Sequence, residues 1–554
     1  MANMSTETSD GFPLARGPRF RRRSMVALVA SAMILAGMGN GVAMAQQIPA
    51  DTIVEAVPAL PTGFAYDDKP AGYENIEYAN ATAGKLIRNP YVTHDVMSLT
   101  QDLTQFEPVL AERWEVSQDG LVYTFHLKQG VLSVAGNELT ADDVLWSYER
   151  KWKTHSVAPF VNTPIIKDPT TQFAKVDKYT FTITIDRKGD GFTLLGLLAN
   201  ITGEIYDSTL LKQHATPEDP YAVAWSSLNG NFGFGPYTLS RFTSGQELVL
   251  KANPNYVLGK PAIDRVIQRL VPDAGTRANL LRNGDVDLAV QLRPADIADL
   301  AANPDINTYD MATNNYVWLV MKTDAEPFND LALRQALDFA VPYERIVEQV
   351  YKGHAKIVTG LINPVYPGAS EGLPDRIYDP ERAKAILEAA GYTEPVKISI
   401  GVSSAVPDLG ELALQIQTFA APAGIEVEVN SLPPAALQKS ISDGTFQAYI
   451  VRDMAFTQSP PYELLVNLNK GSRINRAKWE NDDYYAAVNA GIEAGDPLSP
   501  EAAVHWSEAQ RLWREFAPHI TIASVKPLMA ARSNVFGFAH RSDNVVDLSL
   551  LQKQ

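Results

Sequence analysis

Several stretches in the first half of the chain alternate apolar and polar residues with the period of a half-buried strand. Leu121, Tyr123, Phe125 and Leu127 share one face, while Val122, Thr124 and His126 share the other. Asp119-Gly120 just ahead of them is a turn signal, which predicts a hairpin with a strand around Trp114–Val116. Phe181, Ile183 and Ile185 repeat the alternation within Tyr179–Asp186, and Thr52–Val57 and Leu248–Lys251 are further strand candidates.

The second half alternates helices with strands. Asp330 is placed to cap a helix carrying Leu333, Leu337 and Ala340, which stops near Pro342. Asp379-Pro380 opens another, with Ala383, Ile386, Leu387 and Ala390 on one face and Gly391 as its stop. Then follow a strand at Val396–Ile400, a helix near Glu411–Phe419, a strand at Ile425–Val429, a helix near Pro434–Ile441 and a strand at Phe446–Val451. This βαβαβ order predicts an α/β lobe with a mainly parallel sheet. A last helix, about Glu501–Phe516, should bury Trp506, Leu512 and Trp513.

At 554 residues the chain has room for two or three domains, and 45% hydrophobic with 20% charged residues is ordinary for a folded protein. The N-terminus reads differently. Arg21, Arg22 and Arg23 precede an apolar run from Met25 to about Met38, followed by Ala43-Met44-Ala45. A basic stretch, a short apolar run and an A-x-A site make a signal peptide, with cleavage expected after Ala45. Arg22-Arg23 also suits a twin-arginine signal, and the general secretory route fits as well.

No later segment holds 18 consecutive apolar residues, so the exported part is expected to be soluble and periplasmic. It has no cysteine, which excludes disulfides, thiol catalysis and a lipid anchor on cysteine. Without residues 1–45 the chain keeps 43 basic and 62 acidic residues, a formal charge of −19. Such acidity argues against nucleic acid or anionic lipid as partners.

Catalytic chemistry has little support. No two of the eight histidines are spaced i,i+3 or i,i+4, and there is no HExxH, P-loop or dinucleotide fingerprint. No metal or cofactor is expected. One motif matches on paper: Gly368-Ala369-Ser370-Glu371-Gly372 is a GxSxG. A nucleophile elbow needs a strand before the serine and a helix after it, whereas Pro364, Pro367 and Pro374 mark this as a loop. A secreted serine hydrolase is therefore a remote alternative.

Seven motifs in order resemble the extracellular solute-binding protein family 5, the dipeptide- and oligopeptide-binding receptors of ABC importers. They are Glu107–Val131 (EPVLAERWEVSQDGLVYTFHLKQGV) with Leu139-Thr140-Ala141-Asp142-Asp143-Val144, then Gly235-Pro236-Tyr237, Asn253-Pro254-Asn255-Tyr256 and Gly284-Asp285-Val286-Asp287. Pro327-Phe328-Asn329-Asp330, Arg334-Gln335-Ala336-Leu337 and Tyr378–Tyr392 continue the series. Most of these residues are expected to be structural.

The resemblance implies two lobes closing over a ligand, with an extra subdomain inserted in the first. Lobe I is then expected over residues 46–92, 190–305 and 525–554, the insertion over 93–189, and lobe II over 306–524. It also implies a monomer that captures a small solute by lobe closure and hands it to a membrane permease. A sensory role would use the same capture step.

The implied pocket departs from the peptide-binding pattern. Peptide-binding members carry an aspartate for the ligand's ammonium after the strand Phe446–Val451, and the matching residue here is Phe456. A second polar contact, before the Gly-Pro-Tyr turn, is Phe234. Either Asp453 takes over the ammonium, with Arg452 holding an anion, or the ligand has no α-ammonium and stacks on the phenylalanines. A third possibility is that Arg452 and Asp453 pair with each other. The expected ligand contacts are Arg452, Asp453, Met454, Phe456, Thr457 and Phe234, with Phe64 and Tyr66 from the loop Pro58–Tyr66.

Overall fold

The structure is a computed structural model that describes residues 48–67, 72–95, 98–311, 313, 315–455, 457–472 and 474–554. The signal-peptide region and Phe456 lie outside the described residues. Gln46–Gln554 forms one compact unit.

Thr52–Val57 is a strand, as its alternation predicts, and is buried along its whole length. It runs parallel to Arg265–Leu270 and to Leu288–Ala289 in the middle of a seven-stranded sheet. Tyr237–Thr243 and Glu247–Ala252 extend one side, Leu528–Arg532 and Ile306–Asp310 the other. Lobe I therefore takes in Ile306–Asp310, which pairs with Leu528–Arg532 in this sheet rather than opening lobe II. The chain crosses between sheets at 311–315 and again at 526–527, two short connections side by side: Val525 N–H donates to the Asn315 carbonyl at 3.0 Å.

The insertion carries its own antiparallel sheet, Ala111–Val116, Val122–Leu127, Thr180–Thr184 and Phe173–Lys175. Phe125 and Phe181 are directly opposed, with ring centroids 5.4 Å apart. The Leu139–Val144 motif starts the helix Ala141–Lys153: Asp143 accepts the Thr140 N–H at 2.8 Å and, through its other oxygen, the Ser208 N–H at 2.9 Å.

In lobe II the helices and strands of the second half appear in the expected order, over Pro380–Ala389, Val396–Ser403, Pro407–Ala420, Ile425–Leu432, Pro434–Ser442 and Ala448–Asp453. The three strands are parallel to each other. The sheet as a whole is mixed, because Tyr316–Met321, His519–Val525 and Ala355–Ile357 add three antiparallel pairings. Those strands enter from the crossovers and from a loop, not from βαβ units, so periodicity alone did not reveal their direction. The late helix Pro500–Phe516 buries Trp506 and Trp513 completely.

Candidate functional site

Paired residues on neighbouring strands share a sheet face, so the register of lobe II predicts what meets across it. Lys356 pairs with Ser524, Ser524 with Tyr316, and Tyr316 with Asp453. These four form one row over four adjacent strands, about 14 Å long at roughly 4.8 Å per strand. A cation stands at one end and a carboxylate at the other.

Above the first three members lies a cavity of about 470 Å³, within the range of ligand pockets. Lobe II supplies Lys356, Tyr316, Asn363, Gln458 and Ser524, and lobe I supplies His94, Gln101, His540 and Ser542, with Lys526 at the crossover. Its described lining contains no aspartate or glutamate. Lys526 is ion-paired to Asp310 at 2.8 Å, whereas Lys356 has no ion pair among the described residues.

Two buried polar atoms on this lining have no protein partner, the Tyr316 hydroxyl and His540 Nε2. Burial pushes the His540 imidazole down to about 4, and the nearby His94 acts in the same direction. Beneath the cavity, Glu463 Oε2 accepts the Asn363 N–H at 2.8 Å while Oε1 has no partner, and burial pushes this carboxyl up to about 8. Asn363 in turn donates to Gln458, so this buried acid props the floor of the cavity.

Asp453 occupies a smaller recess of about 170 Å³ with Trp318, Tyr449, His519, Arg476 and, from the insertion, Phe160. Its side chain keeps contact with solvent. Desolvation raises its pKa, against the pull of the Met454 N–H and the Arg476 charge.

The lobes touch around both spaces. Gln458 Nε2 donates to the Ser542 carbonyl at 3.3 Å, Tyr366 Oη to Leu103 O at 3.2 Å and Tyr462 Oη to Val161 O at 3.3 Å. The Thr193 and Ser459 hydroxyls lie 2.8 Å apart. Gly196 permits this approach: a Cβ there would stand 2.4 Å from Thr457 Oγ1.

The expected contacts divide accordingly. Asp453 and Met454 line the smaller recess, and Thr457 is buried at the lobe interface beside Gly196. Arg452 points to the opposite face and pairs with Asp408 at 3.0 Å, as strand alternation requires; it neither pairs with Asp453 nor faces the cavity. Phe234 is 2% exposed in the core of the insertion, against Gly84, and so is not a cleft residue.

Phe64 and Tyr66 are also core residues, packed on Tyr78 within lobe I. Their loop is pinned by the buried Asp67–Arg150 pair at 3.0 Å, which turns it inward. Gly368–Gly372 lies in a stretch without helix or strand between Ile357 and Pro380, so Ser370 lacks the strand-turn-helix elbow. The cavity residues Tyr316, Lys356, Gln458, Lys526 and His540 carry no motif; only the register and the crossover bring them together.

The family motifs read as scaffold. Asp287 accepts the Val54 N–H at 2.9 Å and pairs with Lys553 at 2.8 Å, and Asn253 Nδ2 holds the Gly235 carbonyl at 3.0 Å. Comparison with known families agrees: the model of the bacterial extracellular solute-binding proteins, family 5, matches residues 105–475. The chain belongs to this family. It is a family 5 substrate-binding protein of ABC importers, with the two-lobe fold of periplasmic binding proteins.

Among its relatives, Heme-binding protein A of Haemophilus influenzae is 28% identical over 76% of this chain and 79% of its own length. Di/tripeptide-binding protein 2 of Pseudomonas aeruginosa is 28% identical over 78% and 83%. A periplasmic binding protein, DppA, from Helicobacter pylori in complex with peptide STSA superposes with a TM-score of 0.76, at 22% identity, over 91% of this chain and 98% of that one. The same fold recurs in AgaA from A. tumefaciens R10 in complex with agropinic acid, with a TM-score of 0.73 at 21% identity, over 91% and 99%. No helix among the described residues is long and apolar enough to cross a membrane.

Proposed function

We propose that the exported chain, cleaved after Ala45, acts as a periplasmic monomer that captures a solute lacking a peptide's α-ammonium in the 470 Å³ cavity. It then delivers that solute, chemically unchanged, to a membrane permease. One observation carries the choice of solute: both lobes line the cavity, yet its described lining offers cations and neutral hydrogen-bonding groups and no carboxylate. A buried ammonium without a carboxylate partner would be left uncompensated. A carboxylate or a hydroxyl-rich group finds Lys356, the His94–His540 pair and the free Tyr316 hydroxyl instead.

Closure supplies the mechanism. Groups from both lobes meet the solute only in the closed form, so binding shifts the population towards it. The shut cleft excludes water and strengthens the polar contacts inside. The permease then reads the closed outer surface.

A di- or tripeptide is the second reading, favoured by Asp453 at the far end of the row and by the names of relatives such as the di/tripeptide-binding proteins. A thermal-shift screen separates the two. A solute at 100 times its Kd stabilises the protein by about 2.7 kcal/mol. Stabilisation by organic acids, sugar acids or polyols, with dipeptides inert, is the expected result. Stabilisation by free-amino dipeptides alone would overturn the reading.

A further inference from the structure

The 170 Å³ recess around Asp453 is lined by polar groups that the fold itself leaves unused. Trp318 Nε1 and His519 Nδ1 have no hydrogen-bond partner in the protein, although both residues are more than nine-tenths buried, and the Tyr449 hydroxyl beside them faces Arg476. Buried polar atoms without partners are uncommon, because each has given up its hydrogen bonds to water for nothing in return. Here two of them line one small space.

Two charged side chains join them. Asp453 and Arg476 feel each other's field but form no salt bridge. One offers acceptor oxygens, the other a fork of donors. Between these polar groups stand flat ring faces, Trp318 and His519 with centroids 5.4 Å apart and Phe160 on the side of the insertion.

We propose that this recess seats a polyhydroxylated ring of the captured solute, a hexose-sized unit, with its hydroxyls on Asp453 and Arg476 and a C–H face on Trp318. The proposal rests on the capture reading above and extends it to a second subsite of the same cleft. Two arguments favour a polyol over an amino-acid head group. The head group of an α-amino acid gathers its one cation and one anion at a single carbon and presents them to one part of the wall. It would therefore leave Trp318 Nε1 and His519 Nδ1 unmet, whereas hydroxyls spaced around a ring are each donor and acceptor and reach several walls.

The second argument is electrostatic. The recess holds one acidic and one basic side chain, so a neutral ring enters without upsetting their balance, whereas a zwitterion, though net neutral, would have to shed the water from two further charges. His519 adds none, since burial holds its imidazole down to about 3 and keeps it neutral. The row Lys356–Ser524–Tyr316–Asp453 joins the two spaces on one sheet face. One solute can therefore span both, with its acidic or hydroxyl-bearing remainder in the larger cavity. Phe160 and the insertion close over the recess as the lobes meet.

The test is titration calorimetry with tryptophan fluorescence on Gln46–Gln554, using D-glucose, D-galactose and D-mannose against glycine, L-alanine and L-lysine. At least one hexose is expected to bind and to perturb Trp318 emission, with the change lost in Trp318→Phe. Asp453→Asn and Arg476→Gln should each weaken it about tenfold or more, while Arg452→Gln, on the opposite face, stays within about twofold. Amino acids binding in place of hexoses would overturn the proposal. So would hexoses failing while another solute of the wider screen closes the lobes. If no solute of any class closes them, the capture reading itself falls.

Discussion

Gly189 offers a direct way to separate lobe closure from folding. It lies in the turn Lys188–Asp190, which meets the end of the lobe II helix Asp482–Glu493. An ideal Cβ at this position would stand 1.8 Å from the Ile492 carbonyl oxygen and 2.7 Å from its carbon. Real Cβ contacts do not come under 3.0 Å, so something must move by about 1.2 Å. Neither side yields easily, because Ile492 is 1% exposed in the lobe II core and its carbonyl accepts the Gly495 N–H at 3.0 Å. The cheaper response is for the lobes to part.

Overpacking of this kind costs about 1–3 kcal/mol. In Gly189→Ala that cost falls on the closed form alone, so the apparent Kd rises by the same free energy, about 5- to 150-fold. The assay is calorimetric titration with the strongest solute from the thermal-shift screen, beside small-angle scattering of the ligand-free chain. Because the ligand-free chain is then mostly open already, its scattering and its melting temperature should both hardly change. Gly410→Ala is the control, since nothing lies within 4 Å of a Cβ there. An unchanged Kd in Gly189→Ala would refute closure as the capture step. A weakened Kd with an equal loss of ligand-free stability would show damage to the fold instead.

Further expectations concern stability. Glu463 is protonated when folded and ionised when unfolded between its ordinary value of 4.5 and about 8, so it makes stability fall as pH rises through that window, by about 3–5 kcal/mol in all; Glu463→Gln should remove this slope in urea titrations at pH 5 and 8, and parallel curves for the two proteins would refute it. His519 and His540 act in the opposite sense, since their folded values of about 3 and about 4 lie below the ordinary 6.5, so stability is lost as pH falls below 6.5. His519→Gln should lower the acid midpoint of unfolding, and an unmoved midpoint would count against a buried neutral imidazole. Asp67→Asn should cost about 3–5 kcal/mol by stranding the buried Arg150, and a loss under about 1 kcal/mol would show that the pair is replaceable. Gly410→Ala, inside the helix Pro407–Ala420, should gain about 0.5–1 kcal/mol, and a loss would mean that the site is more crowded than its geometry shows.

What the sequence made legible follows from how local each determinant is. The hairpin around Asp119-Gly120, the Asp330 and Asp379 caps and the βαβαβ run of lobe II depend on neighbouring residues, and all stand as expected. The assignment of Ile306–Asp310 was not legible, because its partner Leu528–Arg532 lies more than 200 residues away. The cleft suffered most. Phe64, Tyr66 and Phe234 are aromatic, and an aromatic residue in a loop reads the same whether it faces a ligand or a core. Arg452 and Asp453 could have been separated from sequence alone, since adjacent residues of one strand face opposite ways. Lys356, Tyr316 and His540 stand in no recognisable pattern, and the strand register that aligns the first two is set by packing, not by any motif.

The chain's acidity and its cleft pull in opposite directions, and screening decides between them. A formal charge of −19 over residues 46–554 would oppose the approach of an anionic solute if it acted over the whole molecule. At physiological ionic strength, however, exposed charges are damped over about 8 Å, less than the 14 Å row on the sheet face. Inside the closed cavity water is excluded, and the nearby groups dominate: Lys356, the two histidines and a free tyrosine hydroxyl, with the buried acid Glu463 kept neutral beneath the floor. A neutral Glu463 matters here, because an ionised carboxylate under Asn363 would cancel the field that makes the cavity hospitable to oxygen-rich solutes. Its raised pKa and the absence of acids from the described lining thus serve one end. On the proposed reading, the surface stays acidic while the cleft is set for a solute that carries no ammonium.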